Sequence, residues 1–235
     1  MDDVIKRLMV AGLFVMLGAC SAPTAFQSTD RLTRGQTVHR ILLMPVDVEL
    51  SLLTAGGIQQ PHAEWTAKAK AHIKPALRNV LKRHNVELIE YAAKGGGNDL
   101  AEQHVQLVKL HGAVGITILR HKYIENLLLP TKTDKFDWTL GPKAVALNDE
   151  YNADYALFLL VRDSYASAGR SMMVMAGFLL GVGVSGGAQL GFASLVDLHT
   201  GEIVWFNRLA RAQGDLREAG PAEETVTTLL NNFPK

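Results

Sequence analysis

Residues 154–162 (DYALFLLVR) constrain the fold more than any other stretch. Their apolar side chains run on without alternating with polar ones, which is typical of a strand that is covered on both faces of a sheet. Two further apolar runs, residues 190–198 and 203–206, flank the turn sequence HTGE and predict a β-hairpin. The carboxyl-terminal part therefore predicts a central strand followed by a hairpin.

The remaining elements predict helices around this sheet. Apolar residues recur at three- and four-residue steps from Trp65 to Leu81 and indicate a helix that Pro75 kinks or restarts. A second helix is predicted from residue 100 to about 111, ended by Gly112. Residues 115–119 are interpreted as a strand, and a continued helix stays open there.

Two more helices are predicted, one starting at Gly141 and Pro142 and one opened by Pro221. Short apolar runs at residues 40–47 and 86–89 predict two further strands. The order of these elements predicts an α/β fold, with a mixed β-sheet flanked by helices, a C-terminal β-hairpin and a final helix.

The amino terminus carries the features of an export signal. Lys6 and Arg7 precede an apolar run, residues 8–19, whose length of about 18 Å as a helix is too short for a bilayer core of about 30 Å. The following LGAC, ending at Cys20, resembles the lipobox of bacterial lipoproteins. The resemblance implies that Cys20 becomes a lipidated amino terminus, and Ser21 implies transfer to the outer membrane.

Three segments are predicted from this reading. Residues 1–19 are a lipoprotein signal peptide, residues 20–38 hold the lipidated cysteine and a flexible tether rich in Ser, Thr, Pro and Gln, and residues 39–235 form a single periplasmic domain. Cys20 is the only cysteine, so no disulfide forms within the chain.

A glycine-rich stretch, GVGVSGG, carries the G-x-G-x-x-G spacing at Gly181, Gly183 and Gly186. A dinucleotide-binding loop needs a helix after these glycines and an acidic residue about twenty positions on. Here the residues after Gly187 lead directly into the predicted hairpin. Asp197, eleven positions after Gly186, is expected to cap the turn of that hairpin. We therefore expect no dinucleotide and no other cofactor.

The glycines adjoin a charge-free run, residues 172–184, that is a hypothetical interaction segment. Lipid or a protein subunit would suit apolar residues without charges, and small residues allow close backbone approach. Three alternatives stay open: packing on the domain, contact with a partner or another copy, and membrane insertion as a β-hairpin spanning residues 172–192. The residues singled out are Met172, Phe178, Leu179, Gly181, Gly183, Gly186 and Gly187.

A second hypothetical surface is a basic stripe on the first helix. Its members recur at steps of four and could face anionic lipid headgroups or an acidic partner, the alternative being an ordinary solvated helix face. They are Lys70, Lys74, Arg78 and Lys82.

No catalytic or metal-binding motif is found in the sequence. His104 and His111 lie about 10 Å apart on one helix, too far for one zinc ion, and are interpreted as surface residues. Asp163 beside Ser164 is interpreted as a strand-end cap rather than half of a hydrolytic pair. The formal net charge of +1 gives no overall attraction for nucleic acid.

Several stretches resemble envelope lipoproteins related to the curli-secretion lipoprotein, and the amino-terminal domain of the TolB translocation protein. They are residues 41–46 (ILLMPV), 152–158 (NADYALF) and 194–205 (SLVDLHTGEIVW). The resemblance implies this fold and an envelope location, and it carries over no catalytic residues. We expect a non-enzymatic scaffold or accessory subunit in outer-membrane assembly or transport. A homo-oligomeric secretion-channel subunit and, more weakly, a periplasmic hydrolase are the alternatives.

Overall fold

A computed structural model describes residues 25–29, 32–33, 38–84, 86–93, 98–212 and 214–234. The predicted signal peptide and Cys20 lie outside these residues. The strands are β1 (Ala25–Gln27), β2 (His39–Leu43), β3 (Asp47–Leu53), β4 (Gln59–Pro61), β5 (Val86–Glu90), β6 (Tyr155–Ala166), β7 (Gln189–Asp197) and β8 (Ile203–Arg211). The helices are α1 (Ala63–Leu81), α2 (Asn98–Tyr123), α3 (Pro142–Tyr151), α4 (Ala168–Leu179) and α5 (Ala219–Leu229), with short 3₁₀ turns at Lys82–His84, Glu125–Leu127 and Pro130–Lys132.

The eight strands form one mixed sheet, which confirms the predicted fold class. Its main order is β1-β8-β7-β6-β2-β5, and β3 joins β6 with β4 at its side. The predicted central strand is β6, which pairs in parallel with β2 and then β3 along one edge and antiparallel with β7 along the other. The predicted hairpin is β7 and β8.

The sheet has two ends, which differ in the connections found there. The turn end is where β7 turns into β8 and where β6 begins. The α4 end is where β3 and β6 finish, with Leu53 opposite Ala166, and where β7 begins.

Helices cover both faces of the sheet. Along β6, Tyr155, Leu157 and Leu159 point into the core beneath α1 and α5, while Ala156 and Phe158 point into the core beneath α2 and α3. This alternation explains the unbroken apolar run of β6, because both of its faces are buried. The predicted helix start at Gly141 and Pro142 is confirmed. The predicted final helix is α5, which begins two residues before Pro221.

Helix α2 corrects two predictions. Residues 115–119 are helical rather than a strand, and Gly112 lies inside the helix instead of ending it. A Cβ added at Gly115 would lie 2.0 Å from the Phe192 ring, and one at Gly112 would lie 3.3 Å from Leu160. These glycines therefore allow α2 to approach the sheet closely, and they do not act as a helix stop.

Two further predictions need correction. Helix α1 continues through Pro75 as one helix, so the predicted restart does not occur. Part of the predicted tether belongs to the sheet, because Ala25–Gln27 pair with β8 and Leu32 is buried. The backbone N–H of Thr33 also donates to the Tyr155 hydroxyl at 3.0 Å.

Candidate interaction surface

Residues 168–188 leave the body of the protein between β6 and β7, and we call them the projection. They comprise helix α4 and an extended return segment. Ser167 caps the helix, its Oγ accepting from Arg170 N at 3.1 Å. Because α4 is a helix, the structure does not form the β-hairpin that membrane insertion of residues 172–192 would need, which was one of the three alternatives.

The projection exposes large apolar side chains. Met172 is 73% exposed, Phe178 83% and Leu179 78%, so the three large residues predicted for an interaction lie at the surface. Soluble proteins rarely gather such side chains in one place without a contact to make. Four more share this exposure and were not singled out from the sequence: Met173, Met175, Leu180 and Val182.

One charged residue fixes the base of the projection. Arg170 is its only charged side chain, and its Nε donates to Ser185 O at 2.7 Å while Nη1 approaches Ala55 O at 3.4 Å. The guanidinium thereby links the start of α4, the return segment and the turn after β3. A lone arginine at the start of a charge-free run is the sequence signal that could have found this contact.

The predicted glycines have separate structural roles. Gly181 has φ +70° and follows the C-terminus of α4, where Val182 N donates to Gly177 O at 2.7 Å and Gly181 N to Phe178 O at 3.2 Å. This is the Schellman arrangement, which favours glycine. Gly183 faces open space, and Gly186 lies beside Val174.

Gly187 is required where the return segment meets β6. Its φ is +128°, and an added Cβ would lie 2.2 Å from Ser164 O. Ser164 closes the base here, its N donating to Ala188 O at 3.1 Å and its Oγ accepting from Ala188 N at 3.0 Å. The glycines are thus explained by backbone geometry, and their order of helix, loop, strand is the reverse of a dinucleotide-binding loop.

All four residues of the predicted basic stripe are exposed, three of them on α1 and Lys82 in the 3₁₀ turn that follows it. Arg78 is already paired with Glu90 of β5. Helix α1 begins near Leu50, whose N donates to Thr66 Oγ1 at 2.9 Å, and ends beside the start of β5. The stripe therefore extends about 18 Å away from the α4 end, from Lys70 to Lys82.

His104 is buried, which corrects its interpretation as a surface residue. It is 7% exposed, its Nδ1 lies 3.1 Å from the Tyr91 hydroxyl and its Nε2 3.1 Å from Glu150 Oε2. Burial is the main cause that raises the pKa of Tyr91. The Tyr–His–Glu chain joins the end of β5 to α2 and α3.

His111 is also buried, at 1% exposure, between the rings of Phe158 and Phe192. Its Nε2 lies 2.9 Å from Ser194 Oγ, and burial lowers the pKa of His111 to about 3. Ser194 is 0% exposed, so a substrate has no access to this Ser–His pair.

Asp163 is buried rather than a cap at the strand end. Its Oδ2 accepts from the Tyr165 hydroxyl at 2.5 Å and from Gln189 Nε2 at 2.8 Å, and burial raises the pKa of Asp163. Gln189 in turn accepts from Thr225 Oγ1 of α5 at 2.9 Å. Asp163 thus ties α5 to the sheet, while Asp197 caps its turn as predicted, accepting from His199 N at 2.7 Å.

The described ranges contain no group of three His, Cys, Asp or Glu side chains that could hold a metal ion. A cleft of about 150 Å³ lies beside Tyr91, lined also by Met44, Pro45, Lys74 and Glu90. None of the helices within these ranges is both long and apolar enough to cross a membrane.

Comparisons with known proteins give similarity in fold at low identity. No family model and no curated protein matches the chain. Among solved structures it is similar to a PelC dodecamer from Paraburkholderia phytofirmans, with 12% identity, 91% of this chain and 100% of that chain covered and a TM-score of 0.38. Lipoprotein GNA1162 from Neisseria meningitidis matches at 14% identity, over 83% and 95% of the two chains, with a TM-score of 0.33.

The C-terminal domain of LpoB from Salmonella enterica matches at 18% identity, over 77% of this chain and 87% of that chain, with a TM-score of 0.27. At such scores the likeness assigns no activity to this chain.

Proposed function

We propose that the protein is a lipid-anchored envelope protein that acts as a non-enzymatic scaffold or accessory subunit in outer-membrane assembly or transport. One observation carries this proposal: the chain displays a projection with seven exposed large apolar side chains and no charge beyond the arginine at its base. Burying one such side chain contributes about 1.5 kcal/mol or more. The projection is therefore suited to attachment.

The polar clusters support the same function. The Ser–His pair and Asp163 lie inside the core, where they connect elements of the fold, and the Tyr–His–Glu chain joins three of them. Catalytic groups need access to a substrate and usually line a concave pocket. These clusters therefore support a structural role and favour the scaffold over a hydrolase.

The basic stripe supplies the surface for a partner protein. It extends along α1 away from the α4 end, so its residues cannot all meet one flat membrane that touches the projection. An acidic region on a partner could face the whole length of the stripe. We therefore assign Lys70, Lys74, Arg78 and Lys82 to a partner contact rather than to lipid headgroups.

The test combines fractionation with lysine cross-linking in intact cells, read by mass spectrometry. The natural chain should incorporate labelled fatty acid and sediment with outer membranes, and Cys20→Ser should lose the fatty-acid label. Lys70, Lys74 and Lys82 should cross-link to a defined envelope protein. A natural chain that stays soluble would contradict anchoring, and reproducible absence of cross-links to any other protein would contradict the accessory role.

A further inference from the structure

We propose that the projection inserts into the same lipid leaflet that holds the Cys20 anchor, so that the protein attaches at two points. This inference rests on the proposed function for the anchor, and its other evidence comes from the fold. The first step is the direction in which the chain enters the sheet. β1 is antiparallel to β8, with Ala25 opposite Asn207 and Gln27 opposite Trp205.

This pairing fixes the direction of β1. β8 runs from the turn end to the α4 end, because Arg211 lies opposite Gln189 at the start of β7. β1 runs the other way, so Ala25, its first residue, is the residue of β1 nearest the α4 end. The start of β1 and the base of the projection therefore face the same end of the sheet.

The distances allow both the anchor and the projection to reach one plane. Cys20 lies five positions before Ala25, and five residue steps span at most about 18 Å when extended. Along β8, the four-residue step from Asn207 to the α4 end at Arg211 is about 13 Å. This length is sufficient for Cys20 to reach the level of the α4 end, and an anchor at that level would hold the apolar tip against the membrane.

Other side chains at the α4 end fit a membrane interface. Ile58, in the turn between β3 and β4, is 67% exposed, and Leu190 at the start of β7 is 53% exposed. Near the same end, the Arg217 guanidinium lies 4.0 Å from the ring of Tyr165, close to the end of β6, and 4.9 Å from the Trp65 ring. Tyr and Trp are enriched at membrane–water interfaces.

The chemistry of the tip favours lipid over protein. Its exposed large side chains are Met, Phe, Leu and Val, and the only polar side chains from 171 to 188 are those of Ser171 and Ser185. Protein interfaces of similar apolar content also carry hydrogen bonds and a polar rim that select the partner. Helix α4 is about 18 Å long, which suits shallow burial in one leaflet.

The first test places a photo-cross-linker on the tip in living cells. Phe178 is replaced by p-benzoylphenylalanine in the otherwise natural chain, and Ile116, a half-exposed apolar residue of α2, is replaced as the matched control. After irradiation, the Phe178 position should give phospholipid adducts and the Ile116 position should not. Adducts at Phe178 to a second copy, or to another protein, would overturn the proposal in favour of that occupant.

A second test separates the projection from the anchor. In Cys20→Ser, which contains no cysteine, Phe178→Cys is labelled with an environment-sensitive fluorophore and titrated with phosphatidylethanolamine–phosphatidylglycerol vesicles. The emission should shift to the blue, and lipids carrying quenchers in their acyl chains should quench it. An unchanged spectrum with a folded protein would overturn insertion, even if the natural chain proves to be lipidated.

The double variant Phe178→Ser with Leu179→Ser should lower vesicle binding at least about tenfold, because two side chains lose their transfer to lipid. Val105→Ser with Ile116→Ser on α2 is the matched control and should bind as the natural chain does. Equal loss in both pairs would contradict the proposal. Binding by the unlipidated chain, together with a natural chain that incorporates no labelled fatty acid, would instead retain insertion and reject the anchor.

Discussion

At the turn end, the connection from β7 to β8 takes five residues, 198–202, and is closed by polar bonds: Gly201 N donates to Asp197 O at 2.8 Å and Thr139 Oγ1 to Gly201 O at 2.7 Å. At the α4 end, the connection from β6 to β7 takes 22 residues, 167–188, and most of its large side chains face outward. Antiparallel neighbours need only a short turn. The additional length at the α4 end is therefore not needed for the fold and is available for contact.

The largest expected difference between body and projection is in stability. Trp205 is 0% exposed in the core, and Trp205→Ala should lower the free energy of unfolding by about 3–5 kcal/mol. Phe178→Ala, a similar loss of aromatic area at an 83% exposed site, should change it by less than about 0.5 kcal/mol. Urea unfolding of both variants measures this; equal losses would show that the projection contributes to the core.

A pH series should reveal the buried histidine of the body. The unfolded chain takes up a proton at His111 below its ordinary pKa of 6.5, whereas the native chain does so only near 3. The free energy of unfolding should therefore fall as pH is lowered from 6.5 toward 3, by up to about 1.4 kcal/mol per pH unit.

His111→Gln should remove this part of the slope, measured by urea unfolding at several pH values with the natural chain in parallel. Asp163 opposes it, because its raised pKa makes protonation easier in the native chain, and Asp163→Asn therefore steepens the fall. Vesicle binding by the projection should stay constant over the part of this range where the chain remains folded, since no carboxyl or histidine lies within residues 168–188.

Two glycines of the return segment should respond differently to the same substitution. Gly187→Ala forces a left-handed φ on alanine and places its Cβ against Ser164 O, so it should cost about 1–3 kcal/mol and disturb the base of the projection. Gly183→Ala faces open space and should be neutral within about 0.5 kcal/mol. Thermal unfolding compares them, and equal effects would contradict the close contact at Ser164.

The smallest stability change is expected on α1. Reversing charge at Lys70, Lys74 and Lys82 to Glu should leave unfolding within about 0.5 kcal/mol per site, because all three are exposed. The amount of partner that cross-links through lysines outside the stripe should fall several-fold. The partner is identified by its own peptides. Lys109→Glu with Lys143→Glu, on α2 and α3, is the control. A partner yield unchanged in the triple variant would separate the stripe from partner binding.

The sequence predicted the elements whose pattern is local. β6, the β7–β8 hairpin with its Asp197 cap, and the Gly141–Pro142 helix start each depend on neighbours in the chain. The predictions failed where distant residues decide. Gly112 resembles a helix stop in the sequence, and only its packing against Leu160 of the sheet shows why a glycine lies there. His104 and His111 resemble surface residues because their partners, Glu150 and Ser194, are distant in sequence.

The projection likewise combines features that local sequence predicts with features that depend on distant residues. The lack of charge in residues 172–184 identified the segment, but its helical form and its position beyond the sheet depend on Arg170 reaching Ser185 and Ala55. Ile58 was missed because it lies more than one hundred residues away in sequence and joins the same end only through the pairing of β3 with β6.

The hydrogen bonds between Ser164 and Ala188 close the projection at its base and keep β6 and β7 in register whatever lies beyond them. The segment between these two residues could therefore be exchanged for another. A related chain could receive a shorter, longer or charged insert at this point while inheriting the sheet unchanged. Evolution could thus alter where the protein docks without reworking how it folds, and an engineer could graft a new tip at the same two residues.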